Sequence, residues 1–305
     1  MLLFRLTKNL MENELDIIEQ RVRKEVELKN YKGFDRVVLA KDKMVEVAED
    51  KLTRQPFTAK MGLPILDDCT DGFRRGQLVI VSGPPKNGKT LLCQNFTKKF
   101  TEQEHRCLWF EYELGAEEFL EKFPPDSLDF YLPNQMHGKD LDWIENRIIE
   151  AKQKFGTDII FIDHLDFLRD TNTLKNVSLN LATYVGGIVQ KVKSIAVQHE
   201  VLIFMMSHIR KNNWTSGKLP SSEDLRDTGQ IAQLADIVMM VMRERNKAGS
   251  SEVYHETNAI VGVIENRHNG KTKIVKSQVT NGIFQETSLR IDTASDLYEP
   301  QDANF

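Results

Sequence analysis

Eight consecutive residues, Gly83-Pro84-Pro85-Lys86-Asn87-Gly88-Lys89-Thr90, satisfy the spacing G-x-x-x-x-G-K-[ST] at every fixed position. This spacing serves the binding of a nucleoside triphosphate. The glycines let the backbone turn tightly, so that its N–H groups point inward at phosphate oxygens beside a helix N-terminus. Lys89 is expected to reach the β and γ phosphates, and the Thr90 hydroxyl to hold a magnesium ion. Leu91 follows as the next residue of the site. The cofactors implied are ATP and Mg2+.

Further residues with chemical capacity lie at the ends of apolar runs. Arg106 to Leu114 reads as a strand with two carboxylates, Glu111 and Glu113, at its carboxyl end, where ligand chemistry gathers in open α/β sheets. A carboxylate there could orient and deprotonate the water that attacks a γ phosphate. Asp158 to Asp163 is an apolar strand closing on Asp163, the expected second half of the magnesium site. Val201 to Met206 is another, followed by His208, and a polar group at that place can bond a γ phosphate and relay its presence. His164 reads as packing beside the site.

These groups need elements to hold them. Leu78 to Ser82 is a buried-type strand entering the loop, and Leu91 to Phe100 continues beyond it as a helix. Asp142 to Lys154 and Ala182 to Val197 read as helices, and Asp236 to Met242 and Asn258 to Ile264 as strands. Lys273 to Thr280 and Ile283 to Glu286 are expected to close the sheet as a hairpin around Thr280-Asn281-Gly282. The segment Gly62 to Leu78 reads as turn residues and then a strand.

The 305 residues are 40% hydrophobic and 28% charged, enough for one α/β core with a small appendage. A net charge of −4 makes no global demand for nucleic acid, so any such contact must come from local basic loops. Lys175 in a polar loop is one candidate. Arg210, Lys211, Trp214 and Lys218 form another, because cations beside an aromatic suit backbone contact and base stacking on single strands. Cys69, Cys93 and Cys107 lack metal-site spacing and read as buried thiols. No run is long enough to span a bilayer, so no membrane contact is expected and the location implied is the cytoplasm of a bacterial cell or phage-infected host.

Residues 1–60 read as a helical arm and linker. Met11, Leu15, Ile18, Val22 and Val26 form an apolar stripe that is expected to pack on its own domain or dock on a neighbouring subunit. The arm has no cysteine and is too short for a primase or zinc-binding module. Residues 61–289 make the catalytic core, and 290–305 an acidic tail whose composition reads as disordered.

Several segments together carry a resemblance. Gly62 to Asp67 and Gly76-Gln77-Leu78 lead into the loop; Phe110 to Ala116 aligns with F-S-L-E-M-x-A, with Glu111 where a small polar residue is usual; Asp163 to Leu168 follows D-[YH]-[LI]-x-x-[LIMV]. Asp224 to Asp236 resembles D-L-R-E-S-G-x-I-E-Q-x-A-D almost position for position, and Glu265 to Gly270 follows K-x-R-x-x-G with Glu265 in the lysine's place. In these segments the chain resembles the RecA-like replicative DNA helicases of the DnaB type, in a short form without primase or the full N-terminal domain. The resemblance implies a RecA-like P-loop ATPase core with a largely parallel central sheet flanked by helices. It implies Glu113 as the catalytic glutamate and His208 as γ-phosphate sensor, while Glu111 on its own reads as a solvated strand-end glutamate. It implies Arg267 as an arginine finger acting on a neighbour's nucleotide. The activity implied is ATP-driven 5′ to 3′ translocation on single-stranded DNA by a homo-oligomeric ring, expected as a hexamer, with duplex unwinding. Primase, polymerase or a single-strand-binding protein are the partners expected at the arm or tail. Two other functions fit the same core: a recombination or mediator ATPase of the RecA/RadA kind, and a nucleotide-binding assembly scaffold with little motor activity.

Overall fold

The computed structural model describes residues 2–33, 36–53, 57–123, 127–136, 140–168, 181–208, 229–243 and 256–290. The chain divides into two compact units, Met1–Pro56 and Phe57–Phe305. The first contains α1 (Leu2–Lys29) and α2 (Ala40–Thr53). On α1 the stripe residues Ile18, Val22 and Val26 are exposed. Among the described residues no helix is long and apolar enough to cross a membrane.

The second unit is built on one eight-stranded sheet. Its elements in chain order are α3 (Pro64–Thr70), β1 (Leu78–Gly83), α4 (Lys89–Glu102), β2 (Cys107–Glu111), α5 (Ala116–Glu121), α6 (Leu141–Phe155), β3 (Ile159–Asp163), α7 (Leu181–Gln198), β4 (Leu202–His208), α8 (Gly229–Leu234), β5 (Ile237–Arg243), β6 (Glu256–Asn266), β7 (Lys273–Thr280) and β8 (Ile283–Arg290). The sheet order is β2-β3-β4-β1-β5-β6-β7-β8. The first five strands in that order run parallel, whereas β6, β7 and β8 alternate in direction. The parallel strands are buried on both faces, which is why their sequences are near-continuous apolar runs. Val79 and Val81 face α4 with Phe96, Phe100, Trp109, Phe161 and Phe204, while Leu78 and Ile80 face α6, α7 and α8 with Ile148, Val189 and Ile231.

The α/β fold with a largely parallel sheet and flanking helices is the one expected, as is the hairpin. Asn281 and Gly282 link β7 to β8 with φ of 50° and 79°, the paired positive values of a two-residue hairpin turn. The segment after Gly62 departs from the expectation of plain turns, because Pro64–Thr70 forms a short helix. Pro64 suits its first turn, and Asp67 accepts from the N–H groups of Met61 and Gly62 at 2.7 and 3.0 Å, fixing the entry. The three cysteines are buried and free.

Asp236 ties the layers together at the edge where β1 begins. Its Oδ2 accepts from Leu78 N at 2.6 Å and from Lys193 Nζ of α7 at 2.6 Å. These bonds fix the start of β1, whose other end carries the phosphate loop.

Candidate active site

The loop from Gly83 to Gly88 joins β1 to α4, as the flanking apolar run and helix predict. Gly83 is needed because a Cβ there would lie 2.1 Å from the Val241 carbonyl oxygen. Gly88 has φ 91°, and a Cβ on it would meet Arg243 Nε at 3.5 Å and Phe284 Cζ at 3.7 Å. A guanidinium and an aromatic ring thus flank the loop where α4 starts, and Asn87 Oδ1 accepts from Arg243 N at 3.0 Å. In the sequence Arg243 is one of several loop cations and Phe284 a hairpin residue. Their approach depends on β5 and β8 folding back beside α4, which no local pattern announces.

Lys89 is buried, with Nζ donating to the carbonyls of Gly83 (3.2 Å) and Pro84 (3.1 Å). It also lies 3.0 Å from His208 Nδ1. Burial pushes the Lys89 pKa down, against the opposing pull of Asp163, Glu113 and Asp166. His208 reaches this position because β1 and β4 pair in register, Gly83 opposite His208. Burial first, then Lys89 and His164, hold the His208 pKa down at about 4. A neutral imidazole can accept from the lysine ammonium, so the contact and the charge state agree.

Thr90 Oγ1 donates to Asp163 Oδ2 at 2.6 Å, and Asp163 is almost wholly buried. A hydroxyl and a carboxylate brought together at the mouth of a phosphate loop are hard oxygen donors of the kind magnesium takes. Asp163 is followed by His164, whose Nδ1 lies 3.4 Å from Glu113 Oε2 and 3.6 Å from Asp163 Oδ1, with Nε2 3.5 Å from Asp166 Oδ2. These are charge contacts, too long for good hydrogen bonds. Burial opposes the His164 charge, but Asp163 and Asp166 outweigh it and raise its pKa to about 9. Its ring meets that of His208 edge-on at 4.4 Å. His164 packs beside the site as expected, and in addition links the Glu113 carboxylate to the His208 ring.

Glu113 is half exposed, in the turn after β2 and near Asp163 through His164. Glu111 differs from its expected place. It is buried at 6% exposure, opposite Asp163 in the β2–β3 register, where the sequence reading has a solvated glutamate. The strand ends at Glu111 and turns there, so this side chain points under the turn instead of into water. Burial first, then Asp163, push its pKa up to about 7.

Arg267 does not join this cluster. It is exposed just past the end of β6, with its N–H on Asp236 O at 2.8 Å. Because β6 runs antiparallel to β5, Asn266 pairs opposite Ile237, at the edge where β1 begins, while the phosphate loop lies where β1 ends. Glu265 lies opposite Val238 at the same edge. Lys175, Arg210, Lys211, Trp214 and Lys218 lie outside the described residues, as do Asp224 to Thr228 and the tail from 291.

A phosphate loop between strand and helix, with an acidic residue closing a parallel strand two places away, defines a P-loop nucleotide-binding protein. Within that class, residues 59–125 and 126–286 match the model of the DnaB-like helicase C terminal domain, and the chain belongs to this family. It is 23% identical over 281 residues to the replicative DNA helicase DnaB of Leifsonia xyli, covering 79% of this chain and 59% of that protein. It is 24% identical over 302 residues to the DnaB of Geobacillus stearothermophilus, covering 87% and 65%. The chain therefore spans only part of the length of these relatives. Among solved structures it is similar to one described as an ATPase domain, with TM-score 0.66 and 18% identity over 83% of this chain and all of that one. It is also similar to a DnaB-like replicative helicase described with its interactions with primase, with TM-score 0.62 and 17% identity over 90% of this chain and 76% of that one. At these identities the structural likeness speaks for the fold.

Proposed function

We propose that this chain is the motor of an ATP-driven replicative DNA helicase that translocates on single-stranded DNA as a homo-oligomeric ring, a hexamer on the family pattern, and unwinds duplex DNA. The observation that carries this is the separation of Arg267 from its own phosphate loop by the full length of β1. A nucleotide held by Lys89 and Thr90 of one chain would be completed by Arg267 of the next.

In this reading the loop N–H groups and Lys89 bind the triphosphate, and Arg243 and Phe284 border it beside Gly88. Thr90 and Asp163 would hold magnesium, which screens charge on the phosphate oxygens when bound. Glu113 orients the attacking water and takes its proton, and His208 responds to the γ phosphate through its place beside Lys89. Lys175, Arg210, Lys211, Trp214 and Lys218 would contact the strand. The family pattern gives 5′ to 3′ movement, work in the cytoplasm, and a primase, polymerase or single-strand-binding protein as partner.

DNA-stimulated ATPase and fork unwinding by wild type, K89A and R267A test this. Wild type should do both, and each variant should lose both. Strand exchange without fork unwinding would make the chain a recombination ATPase. Wild-type turnover no faster than that of K89A would reduce it to a nucleotide-binding scaffold.

A further inference from the structure

We propose that Glu111 is a positioning residue that clamps the turn carrying Glu113 through one side-chain oxygen, a role that rests on the ATPase reading of the site. Along β2 the side chains alternate: Cys107 and Trp109 pack in the α4 layer, Leu108 and Phe110 in the α6 layer. Glu111 continues the α4-side series at the point where the chain leaves the sheet. Its Oε1 accepts from Glu113 N at 2.7 Å and from Leu114 N at 2.8 Å. The preceding N–H, of Tyr112, goes to Asp163 O at 2.9 Å. Three successive N–H groups are thereby fixed, one by the last residue of β3 and two by Glu111, and the backbone of Glu113 is held relative to Asp163.

The side chain belongs to this turn rather than to water. Its second oxygen is buried without a hydrogen-bond partner. A buried carboxylate left half-satisfied is retained at a cost, and the two short bonds made by the other oxygen are what it supplies in return. The clamp needs an oxygen acceptor at the reach of a glutamate and does not need a proton to be transferred. Glutamine keeps that oxygen, aspartate keeps the charge but falls one methylene short, and alanine removes the acceptor.

The test is amide hydrogen exchange across residues 112–115, together with steady-state ATPase, in wild type, E111Q, E111D, E111A and E113Q. We expect E111A to speed exchange at Glu113 and Leu114 by about tenfold or more, and to lower kcat by about tenfold with KM unchanged, the pattern of a displaced catalytic group. E111Q should restore slow exchange and most of the turnover. If E111A does not fold, E111D should show the same fast exchange. Unchanged exchange in E111A and E111D overturns the clamp. So does an E111Q variant as inactive as E113Q, which would make Glu111 itself the acid–base group. If the wild-type chain hydrolyses no ATP, the ATPase reading falls, and the exchange measurement still decides whether the clamp exists.

Discussion

Thr90 Oγ1 donates a 2.6 Å hydrogen bond to Asp163 Oδ2, joining the first turn of α4 to the end of β3 across the intervening β4. The bond brings together two residues 73 positions apart in sequence. T90A should leave the fold intact, because the hydroxyl sits at the mouth of the site and not in the core. It should abolish most of the magnesium dependence of nucleotide binding. Titration of a fluorescent ATP analogue with and without magnesium checks this, and affinity in magnesium should fall by about tenfold or more, or at least about 1.4 kcal/mol.

The placement of Arg267 gives a prediction for mixtures. R267A alone should lower turnover by about a thousandfold. K89A and R267A chains mixed in equal amounts should recover activity, since a site pairing the intact loop of one with the intact arginine of the other arises in about a quarter of random neighbours. Steady-state ATPase of mixed and unmixed preparations measures it. No recovery would mean that the two residues do not serve one site.

His208 should make stability depend on pH. Its folded pKa of about 4 lies below the ordinary value of about 6.5, so between these values the unfolded chain binds the proton that the folded chain refuses. The stability contribution is complete above about pH 6.5 and is lost as pH falls towards 4. Urea unfolding of wild type and H208N from about pH 7 to about pH 4 should show the wild type losing more, by on the order of 2 kcal/mol. Equal pH dependence would sink the assignment.

Gly83 is a steric requirement. A Cβ there would lie 2.1 Å from a backbone oxygen, which cannot swing away as a side chain could. G83A should cost about 1–3 kcal/mol in thermal or urea unfolding and weaken nucleotide binding, because β1 or β5 must shift to admit the methyl group.

The parts of this site that are legible in sequence are those whose chemistry is local. The loop, its strand and its helix follow from contiguous residues, and Asp163 and His208 from apolar runs that end in a polar group. The Asn281-Gly282 turn announces its hairpin for the same reason. Glu111 departs from its sequence reading because alternation assigns a side chain to a face of the sheet but does not say whether the chain will fold a turn over it. Arg243 and Phe284 escape such a reading because they come to Gly88 from strands 155 and 196 residues away in sequence. The strand directions of β6 to β8, which decide where Arg267 lies, depend on sheet order and not on the composition of any one strand.

That reversal of direction at β6 has a consequence for counting. If one edge of each copy offers an arginine and the other edge needs one, a row of copies always ends with one loop unserved. Two copies about a twofold axis would instead complete both of their sites or neither, because a twofold contact pairs residues reciprocally. In a head-to-tail row, activity per chain should therefore climb as the row lengthens, and closing the row into a circle removes the vacancy.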